Sequence, residues 1–135
     1  MAWTDEIKAR RESSDNSEKQ YKENRRITFK RLTPMVKKLL EELGEALYGS
    51  NFLFSKKYVV EVNANTEGWG VGKNENGYIN DYDTRVWVTL WPAYDSKGHH
   101  EVDRFCFKLY FNGNSSEFIT ETTSEHDLKN ALLRM

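Results

Sequence analysis

The stretch from Val102 to Gly113, VDRFCFKLYFNG, alternates apolar and polar side chains and ends on Asn-Gly. Successive side chains of a strand point to opposite faces. Phe105, Phe107, Leu109 and Phe111 therefore line one side, with Arg104, Cys106, Lys108 and Tyr110 on the other. Asn112-Gly113 is a favoured pair for a two-residue hairpin turn. A hairpin centred there returns the chain along Ser116–Thr122. It puts Phe118 on the phenylalanine face, Lys108 opposite Glu117 and Arg104 opposite Glu121, both pairs with complementary charge.

Upstream, Thr84–Trp91 (TRVWVTLW) keeps the same period. Val86, Val88 and Leu90 share one side; Arg85, Trp87, Thr89 and Trp91 share the other. A tight turn at Lys97-Gly98 sets Leu90 beside Phe105, Trp87 beside Lys108 and Trp91 beside Arg104. Two turns thus give one sheet with one apolar face. Lys57–Asn63 adds a strand with Tyr58, Val60 and Val62 together.

Between these lies Thr66–Gly77, TEGWGVGKNENG, with three alternating glycines before a lysine. A Walker-type phosphate loop needs four residues between its first glycine and Gly-Lys, then Ser or Thr. Gly68 and Gly72 are separated by three, and Asn74 follows Lys73. A dinucleotide fingerprint would need glycine where Lys73 stands. The alternation instead fits a strand, Glu67–Lys73, with Trp69 and Val71 turned to the core. Its bare glycine face leaves room for a neighbouring ring on the backbone, or for the floor of a ligand groove.

The flanks change to helical spacing. Tyr21, Thr28, Leu32, Met35, Val36, Leu39, Leu43 and Leu47 would share one helix face. Thr33-Pro34 reads as the cap and first residue of a fresh helix ending near Tyr48 before Gly49. Gly44 inside it costs roughly 1 kcal/mol against alanine, so packing must compensate. At the other end Ser124 caps a helix, with Asp127 in a capping-box position and Leu128, Ala131, Leu132 and Met135 as its stripe. The expected fold is α+β: an antiparallel meander of four to five strands, order α-β-β-β-β-β-α, with both helices on the aliphatic and phenylalanine face.

Residues 1–32 read as a polar, basic arm, partly disordered or helical, ahead of a single domain over 33–135. The arm carries nine Lys/Arg against six Asp/Glu; 57–135 carries eight against twelve. The whole chain of 135 residues has a net charge of −1 and is 38% hydrophobic, with four Trp. That balance gives no global pull toward nucleic acid or an anionic membrane. One cysteine excludes an internal disulfide and a cysteine-based zinc site. The start lacks the apolar segment of a signal peptide, and no apolar run approaches the ~18 residues of a membrane span. A soluble, cytoplasmic protein with no membrane partner is expected.

Catalytic and metal signals are thin. Asp95, His99, His100, Glu101 and Asp103 cluster, but adjacent histidines on a strand face opposite ways, and the segment reads as a solvated hairpin tip. Asn63-x-Asn65-x-Glu67-Gly68 opens like a calcium loop but closes on Asn74 instead of glutamate. Asp81 and Asp83 are spaced for acid–base work, yet sit where aspartate commonly bonds its own backbone. Cys106 has no base in view to activate it. No cofactor, metal or catalytic set is expected.

Two surfaces remain. The second sheet face joins Arg85, Trp87, Trp91, Arg104, Lys108 and Tyr110, with Glu61, Glu117 and Glu121 tempering its charge. On the arm, Lys22, Arg25, Arg26, Lys30 and Arg31 offer a basic helix surface. The expectation is a non-catalytic module binding a protein partner or self-associating as an oligomer through these two. Alternatives are single-stranded nucleic acid on the Trp/Arg face and a small-ligand or enzyme pocket near the glycine strand.

Overall fold

The computed structural model describes residues 3–53, 55–79, 85–94, 97, 98, 100–112 and 116–134, without the side chains at 85, 100–102, 112 and 116. The elements are α1 (Trp3–Tyr48), β1 (Tyr58–Asn63), β2 (Gly68–Glu75), β3 (Tyr78–Ile79), β4 (Arg85–Tyr94), β5 (His100–Asn112), β6 (Ser116–Ile119) and α2 (Glu125–Leu133). Five strands follow the antiparallel order β1-β2-β4-β5-β6, and the short β3, which the sequence pattern does not reveal, pairs with β2. The fold is α+β in the expected order.

The expected break at Thr33-Pro34 does not occur, since α1 runs through with Pro34 inside it. An interior proline removes a hydrogen bond and crowds the carbonyl four residues back, at about 3 kcal/mol. Burial on both sides of it outweighs that cost. Phe29 and Leu32 before the proline, and Val36, Leu39 and Leu40 after it, are all buried, each stabilising by about 1.5–3 kcal/mol. Thr33, expected as a cap, donates instead from its hydroxyl to the Phe29 carbonyl at 2.7 Å and accepts from Trp69 Nε1 at 3.0 Å. The boundary expected at 32/33 therefore falls within one helix.

Residues 3–20 are also helical, and all are exposed. Extending a helix that is already anchored needs no new nucleus. The helix ends where expected, at Tyr48, with Gly49 at φ 99°.

On the covered face, Trp69 is fully buried, stacked on Phe29 at 4.9 Å and edge-on to Phe107 at 6.0 Å. Val71, Val86, Val88, Leu90, Leu109 and Leu128 belong to the same core, with Phe105, Ala131 and the buried α1 side chains. Gly44, the expected packing site, lies against the Tyr58 ring. At α2 the Ser124 side chain accepts from the Asp127 N–H at 3.1 Å, as the cap requires.

Both hairpin registers differ from expectation by two residues. Trp87 pairs with Tyr110 instead of Lys108, Trp91 with Cys106 instead of Arg104, and Leu90 with Phe107 instead of Phe105. Phe118 lies opposite Leu109 instead of Phe107, and β6 ends before Glu121 can meet Arg104 on the ladder. A register irregularity between Pro92 and Tyr94 absorbs the first difference. A shift of two preserves every face, so the assignment of core and open sides stands. The expected turn residue Gly113 lies outside the described residues.

Candidate functional site

Neither helix covers the second face of the sheet; the buried positions of both belong to the core on the first. One rung of that face reads Glu61, Gly70, Trp87, Tyr110, Glu117 across five strands. The next reads Asn63, Gly68, Thr89, Lys108, Ile119. Trp91 and Cys106 follow. Trp87 and Trp91 are half-buried, while Tyr110, Arg104 and Ile119 are exposed.

Lys108 ties the centre together. Its Nζ lies 4.0 Å from the Trp91 ring centre, 5.4 Å from that of Tyr110, and 3.0 Å from Glu117 Oε1. The expected Lys108–Glu117 pair thus forms, diagonally across the ladder. The hydrogen bond that Lys108 donates to the Glu117 carboxylate holds its ammonium above the ordinary pKa. A cation over aromatic faces is attracted by their quadrupoles, but here a carboxylate already matches its charge. Arg104 and Arg31 line a cavity of about 170 Å³ with Asp103 and Glu121. Arg85 stands level with Gly72 and Asn112 on the ladder; its side chain is outside the description.

The glycine strand is not the floor of a groove at its centre, because the Trp87 indole lies there. A Cβ on Gly70 would come within 2.8 Å of it. At Gly68 the added atom would meet the Val88 carbonyl at 3.0 Å. These glycines admit close neighbours.

The arm cations divide. Lys22 pairs with Glu18 at 3.2 Å and Arg26 with Glu23 at 2.6 Å, both exposed. Bonding to Arg26 lowers the Glu23 pKa. Lys30 and Arg31 are exposed. Arg25 turns inward instead. Its Nη2 donates to the Leu90 carbonyl at 3.1 Å and the Thr66 carbonyl at 3.3 Å, and its Nε lies 3.3 Å from Glu67 Oε2. Leu90 is one residue past the last β2 rung at Thr89, so Arg25 takes a carbonyl that the sheet leaves open.

The residues of the calcium-like opening serve the turn. Asn63 Oδ1 accepts from the N–H groups of Asn65 and Thr66 at 3.0 and 3.2 Å, and Glu67 faces Arg25. Asp81, Asp83, Asp95 and His99, with the side chains of His100 and Glu101, lie outside the described residues. Among those described, no three His, Cys, Asp or Glu side chains gather to hold a metal. Cys106 is buried, its thiol 3.6 Å from the Trp91 carbonyl, and burial raises its pKa. That disfavours the thiolate.

Sequence reasoning missed three participants. Ile119 was assigned no face, though it sits exposed beside Lys108. Tyr21, read only as part of a stripe, packs its ring 5.8 Å from Phe105. Asn51 binds the β1 backbone; an isolated loop asparagine carried no signal. No helix among the described residues is long and apolar enough to cross a membrane. Compared with known proteins, the chain matches no family model, no curated protein and no solved structure.

Proposed function

We propose that the chain is a non-catalytic interaction module, binding a protein partner or a second copy of itself through the open sheet face and the exposed half of α1. One observation carries this: both helices cover the same side of the sheet, leaving Trp87, Trp91 and Tyr110 as an aromatic patch with a charged rim. Aromatic centres with polar rims are the usual anatomy of protein contact surfaces. Size argues for two contributing surfaces. Four strand spacings and the eight residues of β2 make a face of about 19 by 26 Å, roughly 500 Å². A stable interface covers about 800 Å² per partner, and the α1 arm supplies the difference.

Nucleic acid is the weaker reading, because the central cation is matched by Glu117 and Glu61 shares the face. The test compares the full chain, a chain lacking residues 1–20, and Trp91→Ser combined with Ile119→Ser. Truncation stops at residue 20 because Tyr21 packs on Phe105. The number of copies per particle by sedimentation, or partner capture, should fall in both variants while thermal unfolding stays cooperative. An unchanged copy number and unchanged capture in both would discard the proposal. Salt-sensitive oligonucleotide binding by the full chain would replace it with the nucleic-acid reading.

A further inference from the structure

The sheet ends in two outer strands, β1 and β6. Along β1 the Lys57 carbonyl accepts from the Asn74 N–H at 3.0 Å. Antiparallel ladders alternate, so Val59, Glu61 and Asn63 also face β2, and the N–H and C=O groups of Tyr58, Val60 and Val62 point outward. Tyr58 is already served. The Asn51 side-chain amide accepts from its N–H at 3.1 Å and donates to its carbonyl at 3.2 Å, the pairing that a neighbouring strand would supply. Val60 and Val62 meet no such group among the described residues.

Outer strands usually carry lysine, proline or a bulge that discourages pairing. The sequence YVVEVN carries only Glu61 as a charge, and Val62 is 43% exposed. Beside the edge lies a cavity of about 260 Å³, to which α1 contributes Lys37 and Glu41, and the edge itself Asn51, Tyr58 and Val60. An open strand edge with an adjoining pocket is what strand addition uses: main-chain bonds for affinity, a pocket for selectivity.

We propose that the β1 edge accepts an extended segment of a partner protein as an added strand, reading apolar–basic–apolar opposite Val60, Glu61 and Val62. A second copy of β1 fits badly in each register. With Val60 opposite Val62, Glu61 faces Glu61. Moving one way brings the Asn51 plug on Tyr58 into the contact; moving the other way runs into the turn at Ala64. A basic residue opposite Glu61 turns that repulsion into attraction. Glu61 borders the open face, but the outward main-chain groups of Val60 and Val62 belong neither to the Trp87–Trp91 patch nor to the α1 arm, so either proposal can fail alone.

The test uses the isotopically labelled full chain, a blocked heptapeptide with a Val-Lys-Val centre, and its Val-Glu-Val counterpart. In the free chain the Val60 and Val62 amides should exchange with solvent quickly and those of Val59 and Glu61 slowly. The lysine peptide should slow and shift the first pair, binding about three- to tenfold more tightly than the glutamate peptide. Glu61→Lys should invert that preference. Val60→Pro, which removes an outward donor and no β1–β2 ladder bond, should abolish binding, whereas Trp91→Ser should leave it intact. Slow exchange at Val60 and Val62 in the free chain would overturn the proposal. So would unmoved resonances there at millimolar peptide, or a preference that Glu61→Lys leaves unchanged.

Discussion

The indole of Trp87 rests on the backbone of Gly70, so close that a Cβ at that glycine would lie 2.8 Å from Cε3 and Cζ3 of the ring. The contact joins β2 to β4 on the open side and fixes the pose of the central aromatic side chain. Gly70→Ala should cost about 1–3 kcal/mol through overpacking. In a Trp87→Val background the same change should cost much less, leaving a coupling of about 1 kcal/mol or more in a urea-denaturation cycle. Strictly additive effects would show that the ring is not held there.

Gly44 has the same relationship with Tyr58, across helix and sheet. An added Cβ would meet Tyr58 Cδ2 at 2.5 Å and Cγ at 2.6 Å. Gly44→Ala should therefore destabilise the chain, although alanine is the better helix former by about 1 kcal/mol. With Tyr58→Ala already in place the sign should reverse, and Gly44→Ala should then stabilise by up to about 1 kcal/mol. Chemical denaturation of the four variants checks the reversal.

Pro34 is exposed within an otherwise continuous helix. Pro34→Ala restores the missing N–H and relieves the crowding at the Lys30 carbonyl, and should stabilise by about 1–3 kcal/mol. Thermal unfolding and helical circular dichroism should both rise. A fall in either would mean that the proline serves the helix–sheet packing.

The face assignments were legible because a two-residue period survives register changes. Val86, Val88 and Phe107 are core, and Trp87, Trp91 and Lys108 lie on the other side, whichever partners they meet. The β4–β5 register was misread because an irregularity at Pro92–Tyr94 offsets the ladder from the turn; its mark in the sequence is Pro92 itself, since a proline inside a strand sits at a bulge or an edge. Pro34 misled for a physical reason: local propensity asked for a break, while buried side chains on both sides of it favoured continuity. Arg25 was counted with the arm's surface because nothing nearby in sequence hints at a carbonyl 65 residues away.

Cys106 provides a test of the open face that needs no partner. Its thiol is buried and its pKa raised by that burial, so little thiolate forms near neutral pH. Iodoacetamide should label the native chain slowly and the urea-unfolded chain rapidly. Trp91→Ser should speed native labelling, because the indole stands directly opposite Cys106. Fast labelling of the intact native protein would contradict the packing around Trp91.

Asp127 links the last turn of the sheet to α2. Its carboxylate accepts from the Thr122 hydroxyl, its N–H donates to Ser124 Oγ, and the Thr122 bond in particular holds its pKa below the ordinary carboxylate value. A carboxyl group that binds its proton less tightly when folded stabilises the fold above the unfolded-state pKa. That contribution is lost as pH falls through the folded-state value. Asp127→Asn should therefore be less stable than the parent near neutral pH, with the difference constant down to about pH 5 and shrinking as the pH falls below the ordinary carboxylate range. Ser124→Ala removes the cap itself and should cost about 1 kcal/mol, with a much weaker dependence on pH. Urea midpoints measured from about pH 7 to about pH 2 separate the two, and an Asp127→Asn deficit constant over that whole range would show that the carboxylate's charge contributes nothing.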